Sequence, residues 1–239
     1  MSADGHTIRH GGIIAAGTGS RLSAAGIALP KPLVPVAGRP LLRHVLDNFR
    51  AASIDMISII LNENSGACVD WLDGNAGDID IDLIVKTTPS SIASFRIIAD
   101  RLAGTRAVIS TVDAWIPDCG FKRFVEATAE MPADALGLAV TDRVDDEKPL
   151  WVDLDPASGR VRALGEGTGS HVTAGLYALP LALTFPNATA FSRLRDYLRW
   201  VIESGRPVYG ILVPNVVDVD RVADMAAAER LAALETNTP

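Results

Sequence analysis

The first half of the chain alternates short apolar runs with segments in which apolar residues recur at helical spacing, and this alternation constrains the fold more than any other feature. The predicted strands, apolar enough to be buried on both faces, are 12–16, 57–61, 81–85 and 107–112. The helical segments between them are 41–49, 67–72 and 92–102. Strands that alternate with helices in this way form a mostly parallel sheet with helices on both faces. The sequence therefore predicts an α/β fold with a doubly wound sheet.

The second half differs, because strands follow one another there with no room for a full helix between some of them. They are predicted over 136–140, 150–154, 161–164 and 172–179. Pro156-Ala157-Ser158-Gly159 is typical of a hairpin turn between two of them. Helical spacing returns over 191–202 and 222–234, on either side of a strand at 208–213. We therefore expect an antiparallel β region inserted into the parallel sheet.

Composition limits the class of protein. The 239 residues are 48% hydrophobic, which excludes a disordered chain and allows one large core. We expect a flexible polar leader at residues 1–10 and one domain over residues 11–239. The net charge of −7 argues against a nucleic-acid-binding protein, which would carry a basic surface. No run approaches the ~18 apolar residues of a membrane span. Two cysteines without metal-ligand spacing fit a reducing compartment, so a cytoplasmic location is expected.

A glycine-rich segment follows the first predicted strand, at the position where α/β sheets bind ligands. It reads Ala15-Ala16-Gly17-Thr18-Gly19-Ser20-Arg21. Small residues let backbone N–H groups approach an anion closely, and the Arg21 guanidinium suits phosphate oxygens. Lys31 lies between two prolines that stiffen its backbone. The segment matches neither of the two common phosphate-loop patterns. On the residues alone, a turn with two solvated cations therefore remains an alternative.

Two linked motifs resemble the signature of the sugar-phosphate nucleotidyltransferases. These are GIIAAGTGSRL over residues 12–22 and PKPLVPVAGRPLL over residues 30–42. The resemblance implies a Rossmann-like, GT-A-like domain that transfers a nucleotidyl group from a nucleoside triphosphate to a sugar 1-phosphate and releases pyrophosphate. It gives catalytic roles to Arg21 and Lys31, which would contact phosphates around the reacting centre. It assigns nucleotide binding to Ala15, Ala16, Gly17, Thr18, Gly19 and Ser20.

Acidic residues at two places are candidate metal ligands, because Mg²⁺ held by carboxylates would neutralise the phosphates of both substrates. Asp113 ends a predicted strand, where the family has a metal-binding aspartate; a helix cap is its alternative role. Residues 215–225 resemble the family segment that completes the metal site. Asp218 is the first match within it and Asp220 the alternative, although Asp220 is equally placed to cap the last helix. Asp224 is expected on the surface of that helix.

Near the nucleotide base, the chain departs from the family pattern. The family usually has a proline and a glycine there; this chain keeps a proline, Pro89, but serines stand in place of the glycine. Ser91 and Ser94 are therefore expected either to contact the base or ribose, or to cap and line the helix that starts there.

On the acceptor side, the resemblance points to Glu166 and Gly175. Close packing of the strand is the alternative for Gly175. Gly167 stands where the family has a lysine that grips the sugar phosphate. We expect Lys148 or Arg143 to replace that lysine, unless the acceptor is held differently.

Three functions remain open from the sequence. Transfer to a sugar 1-phosphate comes first. The serines before an apolar helix also resemble cytidylyltransferases that act on an alcohol or polyol phosphate. The departures from the family pattern leave a non-catalytic nucleotide-binding relative as the third. The expected partners are a nucleoside triphosphate and a phosphorylated small molecule, and the expected cofactor is Mg²⁺. Since this family often dimerises through its inserted β region, a homodimer is also left open.

Overall fold

The computed structural model describes residues 8–104, 106–144, 149–165, 167, 169–180, 183, 185 and 190–235. The strands in these ranges are β1 His10–Ala15, β2 Pro35–Val36, β3 Arg39–Pro40, β4 Met56–Leu61, β5 Asp80–Val85, β6 Arg106–Thr111, β7 Ala114–Trp115, β8 Leu136–Thr141, β9 Trp151–Leu154, β10 Val161–Gly165, β11 His171–Pro180, β12 Val208–Leu212 and β13 Val217–Asp218. The helices are α1 Ser20–Ala24, α2 Leu41–Ala51, α3 Gly66–Asn75, α4 Ser91–Ala99, α5 Asp118–Ala129, α6 Leu194–Glu203 and α7 Val222–Glu235, and Lys31–Leu33 form a 3₁₀ turn.

Among the described residues, nine strands form the central sheet. Seven follow the order β10-β9-β11-β6-β1-β4-β5, while β8 pairs with β11 and β12 pairs with β8. Strands β6, β1, β4 and β5 are parallel. Strand β11 runs antiparallel to β6, β8 and β9, and β10 runs antiparallel to β9. The predicted parallel sheet with an antiparallel insertion is therefore confirmed.

Helices cover both faces of this sheet. On one face, Phe49 of α2 and Phe121 of α5 are buried and meet edge to face, with ring centroids 5.0 Å apart. On the other face, Phe95 of α4 and Tyr197 of α6 are buried with centroids 6.3 Å apart. Each face thus has its own apolar core, as a doubly wound sheet requires. No helix in the described ranges is both long and apolar enough to cross a membrane.

The sequence pattern misses helix α5. Its buried residues are Gly120, Phe121, Phe124 and Thr128, so only two large apolar side chains face the core. A glycine and a threonine complete the buried face, which leaves almost no apolar periodicity to detect.

Two glycines in β1 let helices approach the centre of the sheet from both faces. A Cβ on Gly11 would lie 2.4 Å from Cε1 of Phe49, and a Cβ on Gly12 would lie 2.3 Å from Cγ2 of Ile98. Neither glycine has a positive φ, so space and not backbone conformation requires them.

The start of the described chain belongs to the fold. Ile8 is buried and His10 begins β1, so residues 8–10 of the expected leader belong to the folded part.

We predict that Gly12→Ala lowers the free energy of unfolding by about 1–3 kcal/mol, because the new methyl group overlaps the buried, branched Ile98 side chain. Urea unfolding monitored by circular dichroism measures the change. Gly74→Ala is the matched control. Nothing lies within 4 Å of its Cβ position, and alanine is the better helix former inside α3, so its free energy of unfolding should rise. Equal effects from the two substitutions would contradict the packing argument.

A second prediction concerns His10, whose ring is held by both nitrogens. Nδ1 accepts a hydrogen bond from the Ala103 N–H at 3.0 Å, and Nε2 lies 3.3 Å from Oγ of Ser58, which donates to Asp82. Burial lowers the pKa of His10 below its ordinary 6.5, although Asp82 and Asp80 oppose that shift. The unfolded chain therefore binds more protons than the folded chain as the pH drops below 6.5, so acid destabilises the fold.

Between about pH 7.5 and pH 5.5, the wild type should lose more free energy of unfolding than His10→Asn, which cannot titrate there. Denaturant titrations at each pH give both values. His44, whose pKa is also lowered by burial, is present in both proteins and cancels in the comparison. An identical pH dependence for the two proteins would exclude His10 as the cause.

Candidate active site

The candidate site lies where two central parallel strands end. Strands β1 and β6 are neighbours, so their carboxyl ends open at the same edge of the sheet. From β1, the sheet continues to β4 on one side and to β6 on the other, which makes this edge a topological switch point, the usual place of ligands in open α/β sheets. The glycine-rich segment follows β1 here, and Asp113 follows β6.

Gly19 and Lys31 bring the glycine-rich segment against the Pro-Lys-Pro segment. Gly19 has φ 60°, and a Cβ there would lie 3.0 Å from Cβ of Lys31, so both conformation and space favour glycine. The carbonyl of Gly17 accepts a hydrogen bond of 3.2 Å from the side chain of Asn62, which follows β4. Asn62 is not singled out by the sequence analysis, although a polar residue just beyond an apolar strand at this edge is the signal that could identify it.

The ammonium group of Lys31 joins two carboxylates. The residue is only 8% exposed, its Nζ lies 2.7 Å from Oδ2 of Asp113, and it also donates to Asp220. Arg21 donates to the other oxygen of Asp220 at 2.5 Å. The two predicted catalytic cations and two predicted metal ligands therefore lie in one cluster.

Electrostatics keeps this cluster charged. Burial by itself would lower the pKa of Lys31, but Asp113, Asp218 and Asp220 raise it well above its ordinary value. Burial by itself would raise the pKa of Asp113, but Lys31 outweighs that effect and holds this pKa below its ordinary value. The Lys31 ammonium and the Asp113 carboxylate are therefore both ionised at neutral pH.

Asp113, Asp218 and Asp220 can converge on one ion, because each offers a carboxylate oxygen and these oxygens lie within 4.8 Å of one another. A short ribbon makes this possible: β13 pairs with β7, which follows Asp113 directly, and Val219 N–H donates to the carbonyl of Asp113 at 2.9 Å. Carboxylate oxygens are the ligands that hard divalent cations prefer, so the donor set fits such an ion.

The start of α7 explains why Asp220 is available to the cluster. The Asp224 carboxylate accepts hydrogen bonds from the backbone N–H groups of Asp220 at 3.0 Å and Arg221 at 2.7 Å. Asp224, which lies partly exposed in the first turn of α7, therefore also caps this end of the helix, a role that the sequence analysis does not assign to it. The Asp220 side chain faces Lys31 and Arg21 instead of capping the helix. Asp218 and Asp220 thus both lie with Asp113.

Two cavities meet at the charge cluster. The first, of about 500 Å³, is lined by all the residues predicted to bind nucleotide, together with Lys31 and the Thr88–Ser91 segment. The second, of about 620 Å³, contains Gly175, Tyr177 and three arginines, Arg143, Arg193 and Arg195. The residues common to both cavities are Arg21, Ser91, Thr111, Asp113 and Asp220. Groups bound in the two cavities can therefore meet beside Arg21, Asp113 and Asp220 of this cluster.

Ser91 and Ser94, which both line the first cavity, have other roles than capping α4. Ser90 is the cap, because its Oγ accepts from Ala93 N–H at 3.4 Å. Ser94 is buried, with its hydroxyl 2.6 Å from that of Thr88. Ser91 accepts a hydrogen bond of 3.1 Å from Leu194 N–H, the first residue of α6. The alternative in which Ser91 or Ser94 caps its own helix is therefore wrong.

On the acceptor side, Gly175 lines the second cavity and also packs closely. Its φ is 67°, and a Cβ would lie 2.6 Å from Oγ1 of Thr111 and 2.8 Å from Cβ of Ala114. Glu166 and Lys148 lie outside the described residues. Arg143 lines the second cavity. The sequence analysis does not identify Arg193, Arg195 or Tyr177 as candidate site residues. The signal that could identify the two arginines is the presence of basic residues near the start of a predicted helix.

Comparison with known proteins places these observations in a family. The model of the family described as nucleotidyl transferase matches residues 11–166. The chain is 26% identical over 240 residues to glucose-1-phosphate thymidylyltransferase of Streptomyces griseus, a match that covers 95% of this chain and 66% of that protein. It is 32% identical over 84 residues to CMP-5'-(3-aminopropyl)phosphonate synthase of Streptomyces rubellomurinus, covering 35% of this chain and 13% of that protein. The chain thus spans less than two thirds of the length of these relatives.

Solved structures share the fold. The inositol-1-phosphate CTP transferase from T. maritima has a TM-score of 0.81 at 17% identity, with 98% of both chains covered. A UDP-glucose pyrophosphorylase complexed with UDP-glucose has a TM-score of 0.76 at 14% identity, with 95% of this chain and 99% of that chain covered.

We predict that Lys31→Met lowers the free energy of unfolding by about 1–3 kcal/mol, because Asp113 and Asp220 lose their shared partner and are left to repel each other. Added Mg²⁺ should then raise the melting temperature of Lys31→Met more than that of the wild type, since a divalent cation can replace the missing charge. Thermal unfolding with and without MgCl₂ measures both effects.

Lys122→Met serves as the control for that experiment. Lys122 is 60% exposed and lies 4.0 Å from Glu126 on the surface of α5, so its loss should change neither stability nor the Mg²⁺ response appreciably. The same response to Mg²⁺ in both variants would contradict the prediction, because loss of the Lys31 charge would then not increase the attraction of the cluster for a divalent cation.

Proposed function

The chain belongs to the nucleotidyl transferase family, and from this premise we propose that it transfers a nucleotidyl group from a nucleoside triphosphate to the phosphate of a small acceptor, releasing pyrophosphate. The observation that carries the proposal is the meeting of two cavities at one cluster of charges. Nucleotidyl transfer needs this arrangement, because two polyanions must come together while the developing charge is neutralised.

The first cavity suits the triphosphate. It is lined by the glycine-rich segment, in which small residues leave backbone N–H groups accessible to phosphate oxygens. Arg21 and Lys31 border the same cavity from the side of the cluster. A nucleoside at the far end would meet the segment Thr88–Ser91 and the buried hydroxyl of Ser94.

The second cavity suits the acceptor phosphate. In the proposed reaction, an oxygen of that phosphate forms a bond to the α-phosphorus, and the bond from this phosphorus to the bridging oxygen breaks as pyrophosphate leaves with the electron pair. No general base is required, since a phosphate monoester is already ionised near neutral pH. Lys31 would stabilise charge on the α-phosphate, and Arg21 would stabilise the leaving pyrophosphate.

Asp113, Asp218 and Asp220 would hold a divalent cation, which we propose to be Mg²⁺. When bound, such an ion neutralises and orients phosphate oxygens. Lys31 donates to Asp113 and Asp220, so this residue would orient the metal ligands as well as contact phosphate.

A cytoplasmic location belongs to the same proposal, because nucleoside triphosphates are available there and Cys68 and Cys119 are both free thiols.

A sugar 1-phosphate is our first choice of acceptor, supported by the glucose-1-phosphate thymidylyltransferase that aligns with 95% of this chain. A cytidylyltransferase acting on an alcohol or polyol phosphate is the second choice. It is supported by the CMP-5'-(3-aminopropyl)phosphonate synthase that is 32% identical to this chain over 84 residues, and the Thr88–Ser94 hydroxyl pair in the nucleotide cavity is compatible with it. Each hydroxyl can both donate and accept, so this pair does not by itself exclude cytosine in favour of thymine or uracil.

Pyrophosphate release from a panel of nucleoside triphosphates, each with and without sugar 1-phosphates and alcohol phosphates, tests the proposal. Wild-type protein should release pyrophosphate only when a triphosphate and an acceptor are both present. Lys31→Ala should lower kcat about 100-fold or more while changing triphosphate affinity only a few fold, because its charge acts mainly in the transition state. Lys122→Ala, on the surface of α5, should behave as the wild type.

Two outcomes would overturn this assignment. If Lys31→Ala kept both kcat and KM, Lys31 would not act at the reacting centre. If the wild type bound triphosphates but released no pyrophosphate with any acceptor, the chain would be a non-catalytic nucleotide-binding relative.

A further inference from the structure

The second cavity has an unusually basic wall. Arg143, Arg193 and Arg195 all line it, and we call these three residues the arginine wall. The acidic residues that line the described part of this cavity are Asp113, Asp218 and Asp220, all of them members of the charge cluster. Away from that cluster, the charged groups on the described lining are therefore cationic.

Arg143 belongs to the sheet side of the cavity. Strand β8 ends at Thr141, whose Oγ1 accepts a hydrogen bond of 3.2 Å from the backbone N–H of Arg143, so the turn that carries the arginine is held by a buried side chain. Strands β8 and β6 are both antiparallel to β11 and lie on either side of it, so their carboxyl ends face the same edge. Two strand spacings, roughly 10 Å, therefore separate the backbone that leads to Arg143 from the backbone that leads to Asp113.

Arg193 and Arg195 belong to the helix side. They flank Leu194, whose N–H donates to Ser91 Oγ, so the start of α6 is attached to a residue that lines both cavities. Arg195 also lies near Tyr177, where its charge opposes the increase in the pKa of this tyrosine that burial, Asp113 and Asp218 cause. This end of the arginine wall therefore borders the reacting centre, whereas the backbone that carries Arg143 lies two strands away, on the sheet side of the cavity.

From this separation, and on the basis of the proposed function, we propose that the acceptor carries a second anionic group besides its reacting phosphate. Arg195 and Arg193 lie on the side where the reacting phosphate must meet the cluster. Arg143 binds the second anion, a carboxylate or another phosphate, at the far side of the cavity. Neutral hydroxyl groups of a plain sugar would not match a guanidinium, which binds planar or tetrahedral oxyanions through paired N–H donors. The second anion remains chemically unchanged in the reaction.

Matched acceptors that differ in one group test this inference. Glucose 1-phosphate is compared with glucuronic acid 1-phosphate, which adds a carboxylate, and with glucose 1,6-bisphosphate, which adds a phosphate. Glycerol 3-phosphate is compared with 3-phosphoglycerate for the alcohol-phosphate class. Calorimetry measures the Kd of each compound for protein saturated with Mg²⁺ and α,β-methylene triphosphate analogues, so binding is measured without turnover.

The wild type should bind the member with the added anion about tenfold more tightly, or better, in at least one set, since a charged hydrogen bond is gained. Whether carboxylate or phosphate gives the larger gain identifies the second anion. Arg143→Gln should reduce the ratio of the two Kd values to about twofold or less. Arg230→Gln, which removes an equal charge from the exposed face of α7, should keep the wild-type ratio.

The inference is overturned if the wild type binds the members without the added anion as tightly as those that carry it, or if it binds none of the compounds. A preference that survives in Arg143→Gln also overturns it. The proposed function is judged separately, by pyrophosphate release with the same compounds. Release with an acceptor that lacks the added anion, together with equal Kd values, would support nucleotidyl transfer and refute the second anion. If the wild type prefers the members with the added anion, Arg143→Gln loses this preference and no pyrophosphate is released with any compound, only the transfer reaction is refuted.

Discussion

The ammonium group of Lys31 is the contact on which the site depends. It joins carboxylates that lie 82 and 189 positions away in the sequence, one after β6 and one before α7. Three carboxylates within 4.8 Å of one another repel strongly unless a cation lies among them. Lys31 supplies that cation from the segment between α1 and β2. The convergence of these three segments therefore requires a positive charge at this point.

The C-terminal part of the chain belongs to this site as fully as the motifs near the N-terminus. The family model ends at residue 166, yet Asp218 and Asp220 complete the carboxylate cluster. Backbone pairing of β13 with β7 places them there, and the Asp224 cap leaves the side chain of Asp220 available to Lys31 and Arg21. These two local features thus connect the last helix to the charge cluster.

What the sequence predicts and what it misses have different physical causes. Parallel strands buried on both faces are continuous apolar runs in the sequence, so the parallel sheet can be predicted from it. Asp113 can be predicted as a site residue because it is the polar residue that ends such a run. Helix α5 is missed because its buried face includes Gly120 and Thr128. The sequence analysis misses the position of Arg193 in the second cavity. This position depends on the hydrogen bond from Leu194 N–H to Ser91, 103 positions away, which no local sequence pattern indicates. Whether Asp220 or Asp224 caps α7 likewise depends on how one turn folds back.

Selectivity must come from the walls of the two cavities, because the cluster between them distinguishes charge and little else. Lys31, Arg21 and a carboxylate-bound cation would stabilise any phosphate that reaches them, whatever base or carbon skeleton it carries. The chain departs from the family pattern away from that cluster, with serines near the nucleoside and Gly167 in place of a lysine on the acceptor side. Thr88 and Ser94 face one cavity and Arg143 faces the other. In the proposed reaction, the transfer chemistry and the choice of substrates would therefore be carried by separate residues, so the same cluster would serve the phosphate of an otherwise uncharged sugar as well as a phosphate that carries a second anionic group.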